Sequence, residues 1–273
     1  MRMEGIRGNG TAKVALALGA GSARGLAHIG VIQVLQEAGV PIHMVTGSSI
    51  GAVAGAFLAV GLDMRFLGKI VVEIDFRSLL DPQVPRLGFI KGNKIYQFLH
   101  LLTQGKSFSD LSLPLAVVAT DLEAGERVII NQGEVAEALR ASISIPGVFC
   151  PVQRDGRWMV DGAVTERLPV NTARELGADF VIGVDVNFGG REVEINHTLG
   201  VIMQSIELLE KQLQDSYISN ADVIIQPKVG HFGITRFDLA QDLINLGREA
   251  AEEALPQIRT ALGVMGFPNF IVP

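Results

Sequence analysis

The apolar positions of this chain fall into short uninterrupted runs, separated by glycine-rich turns and by longer stretches with helical spacing. Residues 14–18, 115–119 and 180–186 are apolar almost throughout, the pattern of strands buried on both faces. Residues 41–46, 127–131 and 223–226 predict further strands. Between the strands, 26–38, 51–60, 134–141, 171–176, 198–217 and 239–255 have helical character, the longer of them with apolar residues on one face. The first of these ends at Gly39, and in 198–217 Leu199, Ile202, Ile206, Leu209 and Leu213 share one face. A separate short helix is expected at 256–262, opened by Pro256. Asp155-Gly156, set between 152–154 and 157–160, is a hairpin signal. Strands alternating with helices predict an α/β fold whose central sheet is mostly parallel and carries helices on both faces.

Three stretches need separate treatment. Residues 1–11 are polar and glycine-rich and read as a flexible N-terminal tail, which leaves 12–273 as a single domain. Residues 63–112 are broken by Asp81-Pro82, Pro85, Gly88 and Gly92 around the helical spacing of Ile95, Phe98, Leu99 and Leu102. This stretch is expected to be a cap-like insertion, with plain scaffold as the alternative. Residues 44–62 carry no charge and contain Gly51-x-x-x-Gly55, a pattern that would mark a helix-dimer face inside a membrane. The polar residues Thr46, Ser48 and Ser49 and four glycines make a helix buried in the core the better reading.

With 48% hydrophobic and 19% charged residues among 273, the chain can bury a large core. A formal net charge of −6 and the lack of a Lys/Arg cluster argue against nucleic acid as a partner. The single cysteine, Cys150, excludes an intrachain disulfide and suits a reducing compartment. As residues 1–11 do not read as a secretory signal, the expected location is cytoplasmic, with peripheral contact to membranes. No grouping of His, Cys, Asp or Glu has zinc or calcium-loop spacing, so no metal is expected.

Candidate chemistry centres on Ser49, in Gly47-Ser48-Ser49-Ile50-Gly51 between a strand and a helix. G-x-S-x-G in that context forms a nucleophile elbow: a sharp turn lifts the serine hydroxyl clear of the sheet, and Gly47 and Gly51 leave room around it. A second glycine-rich loop, Gly19-Ala-Gly-Ser-Ala-Arg-Gly25, also follows a strand and opens a helix. Its amides would suit the negative oxygen of a tetrahedral acyl-transfer intermediate, each donor being worth about 3 kcal/mol. A dinucleotide loop is the rival reading, but the Tyr-x-x-x-Lys of short-chain dehydrogenases is missing: Tyr96 and Tyr217 are followed by His100 and Ala221. The serine needs a base. None of the five histidines, His28, His43, His100, His197 and His231, plainly faces the elbow, although His197 or His231 could fold back. Asp161, at a strand end and followed by Gly162, is the best carboxylate candidate.

Taken together, these motifs resemble the patatin-like phospholipase family, in particular its bacterial branch related to the neuropathy-target-esterase type. Ala23-Arg24-Gly25 with Leu26 to Gly30, the Ser49 elbow, Ala141-Ser-Ile-Ser-Ile-Pro-Gly147, Asp161-Gly162-Ala163 and Leu168-Pro-Val-Asn171 occur in the family's order over residues 13–190. The resemblance implies a patatin-like three-layer fold and a serine lipid acyl hydrolase of phospholipase A, lysophospholipase or carboxylesterase type. It implies a Ser49–Asp161 dyad, with the amides of Gly21, Ser22 and Arg24 as oxyanion donors, and no cofactor. The family's glycine run is usually G-G-G-x-R-G; here Ala20 and Ser22 replace two glycines, which keeps the amides but removes φ > 0 freedom. Arg24 would orient the loop or attract a lipid phosphate, and residues 141–151 are candidates for the wall of an acyl pocket. The partner implied is a lipid ester, reached by transient contact with a membrane through residues such as Leu87, Phe89 and Ile90. An acyltransferase using the same serine, or a non-catalytic lipid-binding regulator, are the alternatives.

Overall fold

The computed structural model describes residues 12–84, 86–188, 201, 204–206, 208–209, 218–267 and 270. The tail at 1–11, Pro85, His197 and the remainder of the helix expected at 198–217 lie outside the described residues.

Five parallel strands form the centre of the main sheet. They are β1 (Val14–Leu18), β2 (Met44–Ser48), β4 (Leu115–Asp121), β9 (Phe180–Val184) and β10 (Val223–Ile225), in the order β10-β9-β1-β2-β4. Three antiparallel strands complete it: β5 (Glu126–Ile130), β7 (Val152–Arg154) and β8 (Arg157–Asp161). The Asp155-Gly156 turn joins β7 to β8 as expected. A small second sheet pairs β3 (Gly88–Ile90) with β6 (Gly147–Phe149).

The alternation along β1 sets the two helical layers. Val14, Leu16 and Leu18 face a large core shared with α1 (Ala27–Glu37), α2 (Ile50–Val60), α3 (Met64–Glu73), α5 (Val135–Ser142) and α7 (Ala240–Val264). Ala15 and Ala17 face the other way, where their small side chains let α6 (Val170–Glu175) lie close through Val170 and Ala173. The uncharged stretch 44–62 is divided between β2 and α2. A Cβ on Gly55 would lie 2.7 Å from Val45 Cγ1, so the small residues of α2 serve its seat on β2. Among the described residues no helix is long and apolar enough to cross a membrane.

Register around β4 is the feature that positions the site. Along one edge β4 pairs first with β2 in parallel, up to Ser48 opposite Val118. The same edge then pairs with β8 in antiparallel, beginning with Asp161 opposite Ala119. β5 occupies the other edge, with Ile130 opposite Val117 and Val128 opposite Ala119. The ends of β2 and β8 therefore abut at consecutive β4 residues.

One element departs from the periodicity. Residues 239–255 and 256–262 form one helix, α7, with Pro256 inside it. Proline removes a single backbone donor, and Ala251, Ile258 and Leu262 remain buried on either side of it. In 63–112, α3 buries Met64, Leu67 and Val71 in the main core, capped by Asp63, whose side chain accepts from Arg65 and Phe66. The helical spacing around Ile95 becomes α4 (Asn93–Leu102).

α1 and α7 meet through glycines. A Cβ on Gly30 would fall 2.0 Å from Ile244 O, and one on Gly247 2.0 Å from Ala27 O. Gly30→Val is accordingly expected to force the helices apart and lower the unfolding free energy by about 2–3 kcal/mol. A urea midpoint equal to that of the parent protein would refute this packing.

Candidate active site

Ser49 stands where β2 turns into α2, with φ 53° and ψ −126°. Such a conformation costs a non-glycine residue about 1–3 kcal/mol. Crowding on both sides enforces it. A Cβ on Gly47 would lie 2.3 Å from Ala52 Cα, and one on Gly51 2.2 Å from Leu18 O, so α2 folds directly back onto β1 and β2. The Ser49 amide donates to Ser142 Oγ at 2.9 Å, and Ser142 Oγ donates to Val118 O at 2.6 Å.

Asp161 comes from the other strand of the junction. Ser49 Oγ donates to its Oδ2 at 2.6 Å, and the Ala163 amide to its Oδ1 at 2.9 Å. Its own amide donates to Ser144 O at 3.0 Å, and its carbonyl accepts from Thr120 Oγ1 at 2.9 Å. A Cβ on Gly162 would lie 2.2 Å from Val118 O and 2.8 Å from Ser48 Oγ. Only glycine lets the chain leave β8 at this point. Ser49 is 5% and Asp161 3% exposed. Burial pushes the Asp161 carboxyl up to about 6, against the opposing pull of the hydrogen bonds from Ser49 and Ala163.

The glycine-rich loop faces the same cavity through Ala20, Gly21 and Ser22. The Gly19 amide donates to Val184 O, Ala20 to Arg167 O and Ala23 to Ile234 O. The amides of Gly21 and Ser22 make no hydrogen bond among the described residues. Arg24 differs from expectation: its amide donates to Gly21 O at 3.2 Å, closing the turn. Ser22 adopts φ 51°, the left-handed angle that glycine would take more cheaply. At Gly21 the requirement is space, since a Cβ would meet Val186 Cγ2 at 2.5 Å.

The Arg24 side chain is buried and acts on the loop. Nε donates to Phe232 O at 2.7 Å and Nη1 to Asn187 Oδ1 at 3.0 Å, while Asn187 Nδ2 donates to Ala20 O at 2.7 Å. Of the two roles expected for Arg24, these bonds perform the orienting one. Residues 141–151 divide: Ile145 and Pro146 line the cavity, whereas Phe149 belongs to the small sheet. Ala163, Val164, Ile206 and Ile234 complete an apolar wall, with Arg167 and Asn187 as further polar members.

No described histidine bonds to Ser49. His28 Nε2 lies 2.8 Å from Gly19 O, so that nitrogen carries the proton, and burial lowers its pKa to about 4. His43 Nδ1 accepts from the Val14 amide, His100 Nδ1 pairs with Glu134 Oε1, and His231 packs on Phe232. His197, the other histidine that could have folded back, lies outside the described residues. Among the described residues no cluster of His, Cys, Asp or Glu could hold a metal ion. Reading the motifs did not single out Ser142, Ser144, Thr120 or Asn187 as parts of the site. The alternating serines of Ala141-Ser-Ile-Ser-Ile145 were the available signal for two of them.

Residues 16–174, more than half of the chain, match the family described as patatin-like phospholipase. An "Uncharacterized NTE family protein" of Mycobacterium tuberculosis is 40% identical over 184 residues, covering 67% of this chain and 51% of that protein. Human patatin-like phospholipase domain-containing protein 6 is 34% identical over 209 residues, 73% of this chain and 15% of that protein. The chain thus spans about half the length of the mycobacterial relative and less of the human one. In fold it resembles VipD from Legionella pneumophila, with a TM-score of 0.64 at 15% identity, over 90% of this chain and 67% of that one.

The raised pKa of Asp161 has a stability consequence. Well below about pH 4 the group is protonated whether the chain is folded or not; from about 4 to 6 the folded chain keeps the proton that the unfolded chain loses, so stability falls as pH rises. Above that window the folded state carries a cost of up to about 3 kcal/mol. Asp161→Asn is expected to raise the unfolding free energy at about pH 8 by as much as this and to lose the advantage towards about pH 4. Urea titrations showing no gain at the higher pH would contradict the desolvation argument.

Proposed function

This chain belongs to the patatin-like phospholipase family, and on that premise we propose that it is a serine lipid acyl hydrolase acting through a Ser49–Asp161 dyad. The observation that carries the reading is the 2.6 Å bond from the hydroxyl of a strained serine to a buried carboxylate. With the carboxyl at about 6, Asp161 is largely ionised near neutral pH yet basic enough to accept a proton.

Ser49 Oγ attacks the ester carbonyl carbon as its proton passes to Asp161 Oδ2. The carbonyl electrons move onto oxygen, and the amides of Gly21 and Ser22 stabilise the resulting oxyanion. Collapse breaks the bond to the alcohol oxygen, which takes the proton from Asp161 and leaves as a lysolipid or glycerol derivative. Water, giving its proton to Asp161, then attacks the acyl-enzyme. The second collapse releases the fatty acid and returns the proton to Ser49. Ile145, Pro146, Val164 and Ile206 form the apolar wall against which the acyl chain would lie. "Phospholipase" in the name of the human relative supports a phospholipid substrate.

Ser49→Ala and Asp161→Asn are each expected to lower kcat/KM for a soluble short-chain ester by about a thousandfold or more. A fluorophosphonate probe should label the parent protein and not Ser49→Ala. The acid limb of kcat/KM should fall tenfold per pH unit below about 6. Substantial activity in either variant would overturn the dyad, and transfer of acyl groups to an added alcohol in preference to water would reassign the reaction.

A further inference from the structure

The small sheet carries a hairpin that the reaction itself does not use. Pro82 bridges Ile90 in antiparallel fashion, the Gln83 amide donates to Phe89 O at 2.9 Å, and Gln83 Nε2 donates to Gly88 O at 3.1 Å. Residues 82–83 therefore pair back against 88–90. On its inner side, β3 lies against β6, and a Cβ on Gly88 would sit 2.6 Å from the Phe149 carbonyl carbon.

Arg140, buried at the end of α5, fastens this hairpin to the dyad's own support. Its Nη2 donates to Lys91 O at 2.6 Å and to Cys150 O at 2.9 Å, and Nε donates to Gly92 O at 3.1 Å. Its Nη1 donates to Ser144 Oγ at 2.7 Å, and Ser144 O is the acceptor for the Asp161 amide. The hairpin is thus pinned next to Ile145 and Pro146, the cavity wall that runs directly into β6.

Its outer side is apolar and basic. Val84, Leu87 and Phe89 are 84%, 57% and 49% exposed, and Arg86 and Lys91 are exposed among them. Residues 75–94 hold four cations (Arg77, Arg86, Lys91, Lys94) against two carboxylates (Asp75, Asp81), in a chain whose net charge is −6. Asp81 accepts from the amides of Gly92 and Asn93, so it braces the hairpin base.

We propose that this hairpin is a docking element for an anionic lipid surface. Val84, Leu87 and Phe89 enter the boundary between headgroups and acyl chains, and Arg86 and Lys91 meet the negative headgroups. The inference deepens the hydrolase reading and rests on it, because a lipid ester must travel from a bilayer to Ser49. Three exposed apolar side chains offer little area for a stable protein interface, whereas a lipid surface can take up each side chain without a matching pocket.

Co-sedimentation of the full chain with phosphatidylcholine vesicles, with and without phosphatidylserine, tests this. Binding is expected to be stronger with phosphatidylserine and to weaken with added salt. The double variant Leu87→Asp/Phe89→Asp should bind at least about tenfold more weakly, and Arg86→Glu/Lys91→Glu should lose the preference for phosphatidylserine. Both should keep soluble-ester turnover within about twofold, which reports an intact fold and site. Ser49→Ala should bind vesicles like the parent protein, so a failed dyad and a failed docking element appear in different assays. Parent protein that ignores both vesicle types, or a Leu87→Asp/Phe89→Asp variant that binds undiminished, would overturn the proposal.

Discussion

One edge of β4 carries two strands end to end, and the site depends on that junction. β2 arrives in parallel and stops at Ser48; β8 arrives in antiparallel and places Asp161 beside the next β4 residue. Serine and carboxylate are 112 positions apart in sequence. They meet because their backbones use adjacent hydrogen-bonding positions of a third strand, which makes the 2.6 Å separation a matter of sheet register. A slip of one residue on either strand would turn the side chain to the opposite face.

Holding that arrangement is costly, and the surrounding contacts absorb the cost. Ser49 has an unfavourable backbone angle, Asp161 is desolvated, and Ser22 occupies the left-handed region. Glycines at 47, 51 and 162 permit close approaches that any side chain would block. Ser142, Ser144 and Thr120 then satisfy the backbone groups exposed by the junction. Neutral His28, bonded to Gly19 O, and buried Arg24, bonded to Phe232 O and Asn187, steady the loop from behind. The geometry around Ser49 and Asp161 is therefore a property of several separate chain segments acting on two side chains.

The strands β1, β4 and β9 and the elbow were legible because each is local: continuous apolar runs, and glycines at fixed offsets from a serine. Asp161 was reachable as a candidate from its strand end and Gly162. The small sheet of β3 and β6 was not, since three-residue strands have too few positions to show a period. The roles of Ser142, Ser144 and Arg140 were hidden for another reason. Their partners lie on β4, β8 and the 88–92 stretch, and no spacing within one segment encodes a contact between segments. Pro256 misled because the usual effect of proline on a helix was outweighed by burial on both sides of it.

The interlocked glycines of α1 and α7 also bear on where the folding unit ends. The family match stops at residue 174, yet β9, which pairs with β1, and α7, which covers α1, both come later. A fragment cut at the edge of the match would strip one neighbour from the strand leading into the glycine-rich loop and uncover the helix leaving it. The segment matched to the family carries Ser49 and Asp161, while the remainder supports the strand and helix on either side of the glycine-rich loop.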